Sequence, residues 1–173
     1  TAGEIEPEKA AELAARTAKK LDAAEQAIIA LGQGTAVLKV PTDIADNEQC
    51  QALAEATVKA FGRIDVLFNS AYDPGSFEPI EQANLEGWRR AMDVNFFGTM
   101  QLTLACVPAM KAAGGGAVVM IGTMVEHKPL ATQGGYGSSK SALRSATKHL
   151  ALELGQYKIR VNSCHMGWMW GPS

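Results

Sequence analysis

Four short apolar runs, separated by segments long enough for helices, constrain what this chain can fold into. "TAVLKV" (35–40), "IDVLFN" (64–69), "AVVMIG" (117–122) and "IRVNSC" (159–164) are rich in β-branched residues and read as strands. Helices are expected at about 17–31, 46–61, 84–112 and 136–155. In 46–61 the apolar Leu53, Ala54, Ala56, Val58 and Phe61 make a one-sided stripe. Parallel strands need long crossover connections, so this alternation implies βαβ units and a parallel sheet. Each strand is almost continuously apolar, as expected of an α/β domain whose sheet has helices on both faces. No internal repeat or interdomain linker is visible, and Gly114–Gly116 reads as a helix stop. Residues 1–173 are therefore expected to form a single domain.

With 47% hydrophobic residues, 173 residues are enough for a core. A net charge of −2 gives no reason to expect nucleic acid or an anionic membrane surface as partner. Polar residues interrupt every apolar stretch before it reaches bilayer-spanning length. The start, "TAGEIEPEKAAEL", lacks the basic and apolar regions of a signal peptide. Cys50, Cys106 and Cys164 are scattered and form no CxxC pair, which argues against a disulfide framework or metal cluster and suggests a reducing, cytoplasmic setting. The spacing of His127 and His165 suits no recognised metal motif, so no metal site is expected. His149 reads as a helix-surface residue, and Trp88 as packing at the edge of a long helix.

The heptad "GGYGSSK" (134–140) places Tyr136 and Lys140 four apart, on one face of a helix start. An ammonium beside a phenol favours the phenolate, which suits proton-transfer chemistry. The same spacing also suits an ordinary surface pair on a helix rich in alanine and serine. Ligands in parallel α/β sheets bind outside the carboxyl ends of the strands. There the sequence reads "PTD" (41–43), "NSAY" (69–72), "GTMVEH" (122–127) and "CHMGWMWGP" (164–172), so small and polar residues gather at the rim that holds the heptad.

At this point the chain resembles the short-chain dehydrogenase/reductase family. "TDIAD", "NSA", "VNFFG", "IGT", "YGSSK" and "IRVNS", the last with a glycine four residues on, occur in the family's order across residues 34 to 173. The resemblance implies a three-layer, Rossmann-like fold and hydride exchange between a nicotinamide cofactor and a carbonyl or alcohol. It implies that Tyr136 is the general acid/base. Lys140 would lower the tyrosine pKa and bind the nicotinamide ribose, Thr123 would take the place of the catalytic serine, and Asn95 would complete a proton relay through water. On the cofactor side, Asp43 would reach the adenine, Asn69 would stabilise the central strand end, and Ala71 would lie beside it. Arg16 resembles the basic residue of NADP-preferring members, which tilts the expectation from NAD towards NADP. The regions 84–112 and 136–155 correspond to the family's subunit interface, implying a homodimer or homotetramer.

The chain also departs from the family pattern. Nothing in residues 1–33 resembles the glycine-rich turn that brings backbone N–H groups to a pyrophosphate; that stretch reads as charged helix. Ser70 and Tyr72 stand where asparagine and glycine are common, Gly122–Thr123 replaces Ser-Ser, and Met166 replaces a proline. The fold is thus expected to be partial, without the first-strand region and the last strand. Two readings follow: the residues belong to a longer, complete oxidoreductase, or they are a remnant without a cofactor site that serves as an interaction module. Met124, Trp168 and Trp170 at the rim suggest a small to medium, largely apolar substrate; the tryptophans fit a loop anchor equally well.

Overall fold

The structure is a computed structural model that describes residues 7–32 and 34–167. The described residues form two compact units that divide between Thr42 and Asp43. In the first, α1 (Pro7–Ala30) is a 24-residue helix that begins ten residues before the expected start at 17. Lys39 donates to Asp22 Oδ1 at 2.7 Å and Glu25 Oε2 at 2.6 Å, which ties the following segment to α1. The expected strand over 35–40 does not form. A strand exists only where a neighbour completes its ladder, and the described residues of this unit contain no second extended segment.

The second unit begins with α2 (Asn47–Phe61). Asp46 caps it, Oδ1 accepting from the N–H groups of Glu48 at 2.8 Å and Gln49 at 3.2 Å. Gly62 ends it with a left-handed φ of 79°, its N–H donating to the Val58 carbonyl. Then come β1 (Val66–Asn69), α3 (Leu85–Met92), a π turn (Asp93–Gly98) and α4 (Thr99–Ala112). They are followed by β2 (Gly116–Thr123), α5 (Gly134–Leu154) and β3 (Ile159–Met166). The three strands pair in parallel in the order β1-β2-β3, as the alternation predicts.

Register sets Leu67 beside Val118 and Val118 beside Val161, so these side chains share one face. Val118, Met120, Ile159 and Val161 bury that face against Cys50 and Ala54 of α2, Leu102, Cys106 and Met110 of α4, and Leu143, Leu150 and Leu154 of α5. Laterally, α2 packs on α4, and α3 with the π turn packs on α5. Because the strands are parallel, the ends at Asn69, Thr123 and Met166 lie on one rim, Thr123 and Met166 in direct register.

Candidate active site

The start of α5 is shaped by Trp88 of α3. A Cβ on Gly134 would sit 2.6 Å from the indole, and one on Gly135 2.9 Å from it. Only glycine allows the helix to begin so close to the ring, which explains the first two residues of the heptad. From there Tyr136 and Lys140 leave the same face of α5, beneath the end of β2.

Lys140 is 2% exposed, and its Nζ donates to the Ile121 carbonyl at 2.8 Å. That ammonium lies 6.0 Å from the centre of the Tyr136 ring. Burial lowers the lysine pKa from 10.5 to about 8, against the opposing charge of Glu126. Tyr136 is partly buried, and here the structure departs from the sequence expectation. Burial raises the phenol pKa, while a hydrogen bond with the Thr123 side chain pulls it down. The lysine, committed to a main-chain oxygen, is not among the groups that lower it.

Thr123 is 7% exposed and caps the turn after β2, its Oγ1 accepting from the Val125 N–H at 3.3 Å. Its own N–H donates to Glu126 Oε1 at 2.8 Å, which fixes the hydroxyl beside the phenol.

Asn95 is fully buried in the π turn. Its Oδ1 accepts from the Asp73 N–H at 2.7 Å, while Nδ2 donates to the Asp73 carbonyl at 2.7 Å and to Ser139 Oγ at 3.0 Å. Ser139 in turn donates to the Tyr136 carbonyl at 2.8 Å. Asn95 therefore grips the first turn of α5 through Ser139. The wider π turn, a form common at functional sites, brings this amide inward.

Asn69 ends β1 with Nδ2 donating to Thr103 Oγ1 at 3.1 Å, so its amide secures the strand to α4. Ala71 follows it, exposed at the rim. Asp43 is exposed and turns its carboxylate to its own loop, Oδ1 accepting from the Ala45 N–H at 3.0 Å. Arg16 lies exposed on α1, in the first unit. Trp168 and Trp170 lie outside the described residues, and Met124 is 50% exposed. The structure thus brings Tyr136, Thr123 and Lys140 together, with Asn95 one residue behind.

A parallel sheet with long crossover helices, and a tyrosine, a threonine and a buried lysine gathered at its carboxyl rim, defines a Rossmann-type α/β protein. The chain belongs to the short chain dehydrogenase family, whose sequence pattern it matches over residues 7–171. It is 36% identical over 145 residues to the cyclohexanol dehydrogenase of Acinetobacter sp. (strain SE19), a match that covers 84% of this chain and 57% of that protein. Among solved structures it is similar to a short-chain type dehydrogenase/reductase from Mycobacterium ulcerans, with a TM-score of 0.83 at 33% identity over 86% of this chain and 55% of that one. Levodione reductase gives a TM-score of 0.82 at 28% identity, covering 85% of this chain and 57% of that one. The chain spans about half the length of the curated relatives it matches.

The family implies a nicotinamide cofactor. The rim residues fit its reactive end: a buried ammonium, a phenol and a hydroxyl converge where a strand ends. The described residues before β1 hold no glycine-rich turn after a strand, so the pyrophosphate cradle has no counterpart among them. Among the described residues, no helix is long and apolar enough to cross a membrane.

One grouping at this rim escapes sequence reasoning. Glu126, His127 and His165 converge, each with one ligand atom within 4.8 Å of the others. Residue 165 is far from 126 in sequence, and only the pairing of Gly122 with His165 brings them together.

Proposed function

We propose that this chain carries the catalytic residues of a nicotinamide-dependent oxidoreductase that interconverts a carbonyl and an alcohol. The observation behind this reading is the meeting of the Tyr136 phenol and the Thr123 hydroxyl beside the buried Lys140 ammonium. When bound, the nicotinamide supplies or accepts a hydride at the carbonyl carbon. Tyr136 gives its proton to the carbonyl oxygen during reduction and recovers it from the alcohol during oxidation. Thr123 donates a hydrogen bond to the same oxygen, where negative charge develops. Lys140 is assigned to the nicotinamide ribose, and its ammonium favours the phenolate only once it turns from the Ile121 carbonyl towards the phenol oxygen. Asn95 holds the start of α5 and serves the relay that returns a proton through water.

Asp43, Asn69 and Ala71 are assigned to the cofactor side, and Arg16 to a 2′-phosphate, which favours NADP over NAD. The substrate we assign is a small, largely apolar alcohol or ketone, in keeping with the exposed Met124 and with relatives named for cyclohexanol and levodione. We further assign a cytoplasmic setting and a homodimer or homotetramer.

The test is Tyr136→Phe, assayed by nicotinamide absorbance with cyclic alcohols and ketones. Turnover should fall by at least ~100-fold. Cofactor affinity should hardly change, because the ribose contact is assigned to Lys140. Unchanged turnover in this variant would overturn the mechanism. A second reading, a remnant acting as an interaction module, is favoured by the lack of a glycine-rich turn among the described residues. Native protein whose tryptophan fluorescence is quenched by neither NADH nor NADPH would favour the remnant.

A further inference from the structure

The geometry points to a divalent metal site, of the kind that zinc fills, formed by Glu126, His127 and His165 at the ends of β2 and β3. Glu126 closes the turn after β2, and its side chain is fully buried. One carboxylate oxygen, Oε1, accepts from the Thr123 N–H at 2.8 Å. The other, Oε2, is buried without a hydrogen-bond partner among the described residues. It faces His165 Nδ1 at 3.5 Å, within ion-pair reach when the imidazole is protonated, and that nitrogen is also buried without a hydrogen-bond partner. Two polar atoms withdrawn from water and left unbonded cost free energy unless something else satisfies them. At 3.5 Å the pair is too long for a good hydrogen bond. It does match the separation of about 3.4 Å between two ligands of a tetrahedral zinc with bonds near 2.1 Å.

Three further features favour a cation. His165 Nε2 lies 2.9 Å from Ser163 Oγ. If the ring donates there, Nδ1 carries a free lone pair directed at Glu126, the arrangement by which an outer partner fixes a metal-binding tautomer. His127 is exposed and stands with its ring centre 5.2 Å from that of His165, so a small rotation supplies a third ligand. Gly122 makes the room: a Cβ there would lie 2.8 Å from Glu126 Oε1 and 3.0 Å from His165 Nδ1. Two imidazoles and one carboxylate form a ligand set suited to zinc, with a fourth position left for water. Magnesium, which prefers oxygen ligands, does not suit it.

The site is separate in chemistry from the proposed oxidoreductase, and its test does not use turnover. Metal-stripped, tag-free protein is titrated with zinc against a chromophoric chelator, with magnesium as a control. Native protein should bind one zinc per chain and ignore magnesium. His165→Ala and Glu126→Gln should each weaken zinc binding by about 10-fold or more, the scale on which even outer-shell partners act. Glu126→Gln keeps an acceptor for the Thr123 N–H, so its effect is separable from loss of the turn. Cobalt in place of zinc should give visible absorption bands that disappear in His165→Ala. No zinc binding by the native chain would overturn the assignment. So would equal affinity in the native chain and both variants, which would place the bound metal elsewhere.

Discussion

At the scale of single residues, the proposed site sets stability against its assigned role most clearly at Lys140. Its burial lowers the pKa from 10.5 to about 8, so the charged form is penalised in the fold. That fall corresponds to roughly 3–4 kcal/mol at most, because each tenfold change is ~1.4 kcal/mol. The penalty is complete below about pH 8, where folded and unfolded chains are both protonated. It is relieved as pH rises from about 8 towards 10.5, where only the unfolded chain holds the proton. Lys140→Met should therefore raise the melting temperature at pH 7, offset in part by loss of the bond to the Ile121 carbonyl. The gain over the native chain should shrink between pH 8 and 10. Thermal denaturation followed by circular dichroism across this range checks both statements. The same variant should lose activity and cofactor affinity together under the proposed roles. The four-residue spacing of Tyr136 and Lys140 is legible in the sequence, since helix geometry alone sets both on one face. The direction of the tyrosine pKa is not, because it depends on burial and on which acceptor the lysine chooses.

At the scale of elements, three of the four expected strands form, and the fourth fails for want of a partner. Local composition carries information on whether a segment can be a strand, whereas pairing depends on what lies beside it. The stretch read as one helix over 84–112 is interrupted by the π turn at Asp93–Gly98. Nothing in its apolar period announces that interruption. Its cause is visible in the packing: Asn95 bridges Asp73 and Ser139, and Gly98 lets the Ile44 carbonyl approach to where a Cβ would be 2.6 Å away. Gly98→Ala forces that backbone oxygen aside and should destabilise the fold by about 1–3 kcal/mol. Asn95→Ala leaves the N–H and carbonyl of Asp73 without their partners and should cost about 2–4 kcal/mol. Urea unfolding of both variants measures these losses; near-native midpoints would show that the π turn tolerates both changes.

At the scale of the whole molecule, the helical regions assigned to a subunit contact carry an apolar stripe that the second unit leaves exposed. Leu85, Trp88 and Met92 follow helical spacing along α3 and line a concavity of about 350 Å³ with Arg89, Asp93 and Phe97. The π turn adds a residue to the winding, and seven positions after Phe97 comes Leu104. Leu85, Phe97 and Leu104 are 59, 50 and 54% exposed, which is unusual for large apolar side chains grouped on one rod. A second copy of the chain supplies a self-complementary surface for such a stripe through a two-fold axis. Sedimentation equilibrium at micromolar concentration should therefore give a species at least twice the 18.3 kDa of the chain. Under the proposed dimer, Leu104→Arg would bring like charges together at the contact and should shift that species to monomer. Because Leu104 is already exposed, the melting temperature of the monomer should fall only by the share that association contributes. A native chain that sediments as a monomer would remove the interface from this account. It would leave the proposed proton-transfer roles untouched, since Tyr136, Thr123 and Lys140 are all drawn from one chain.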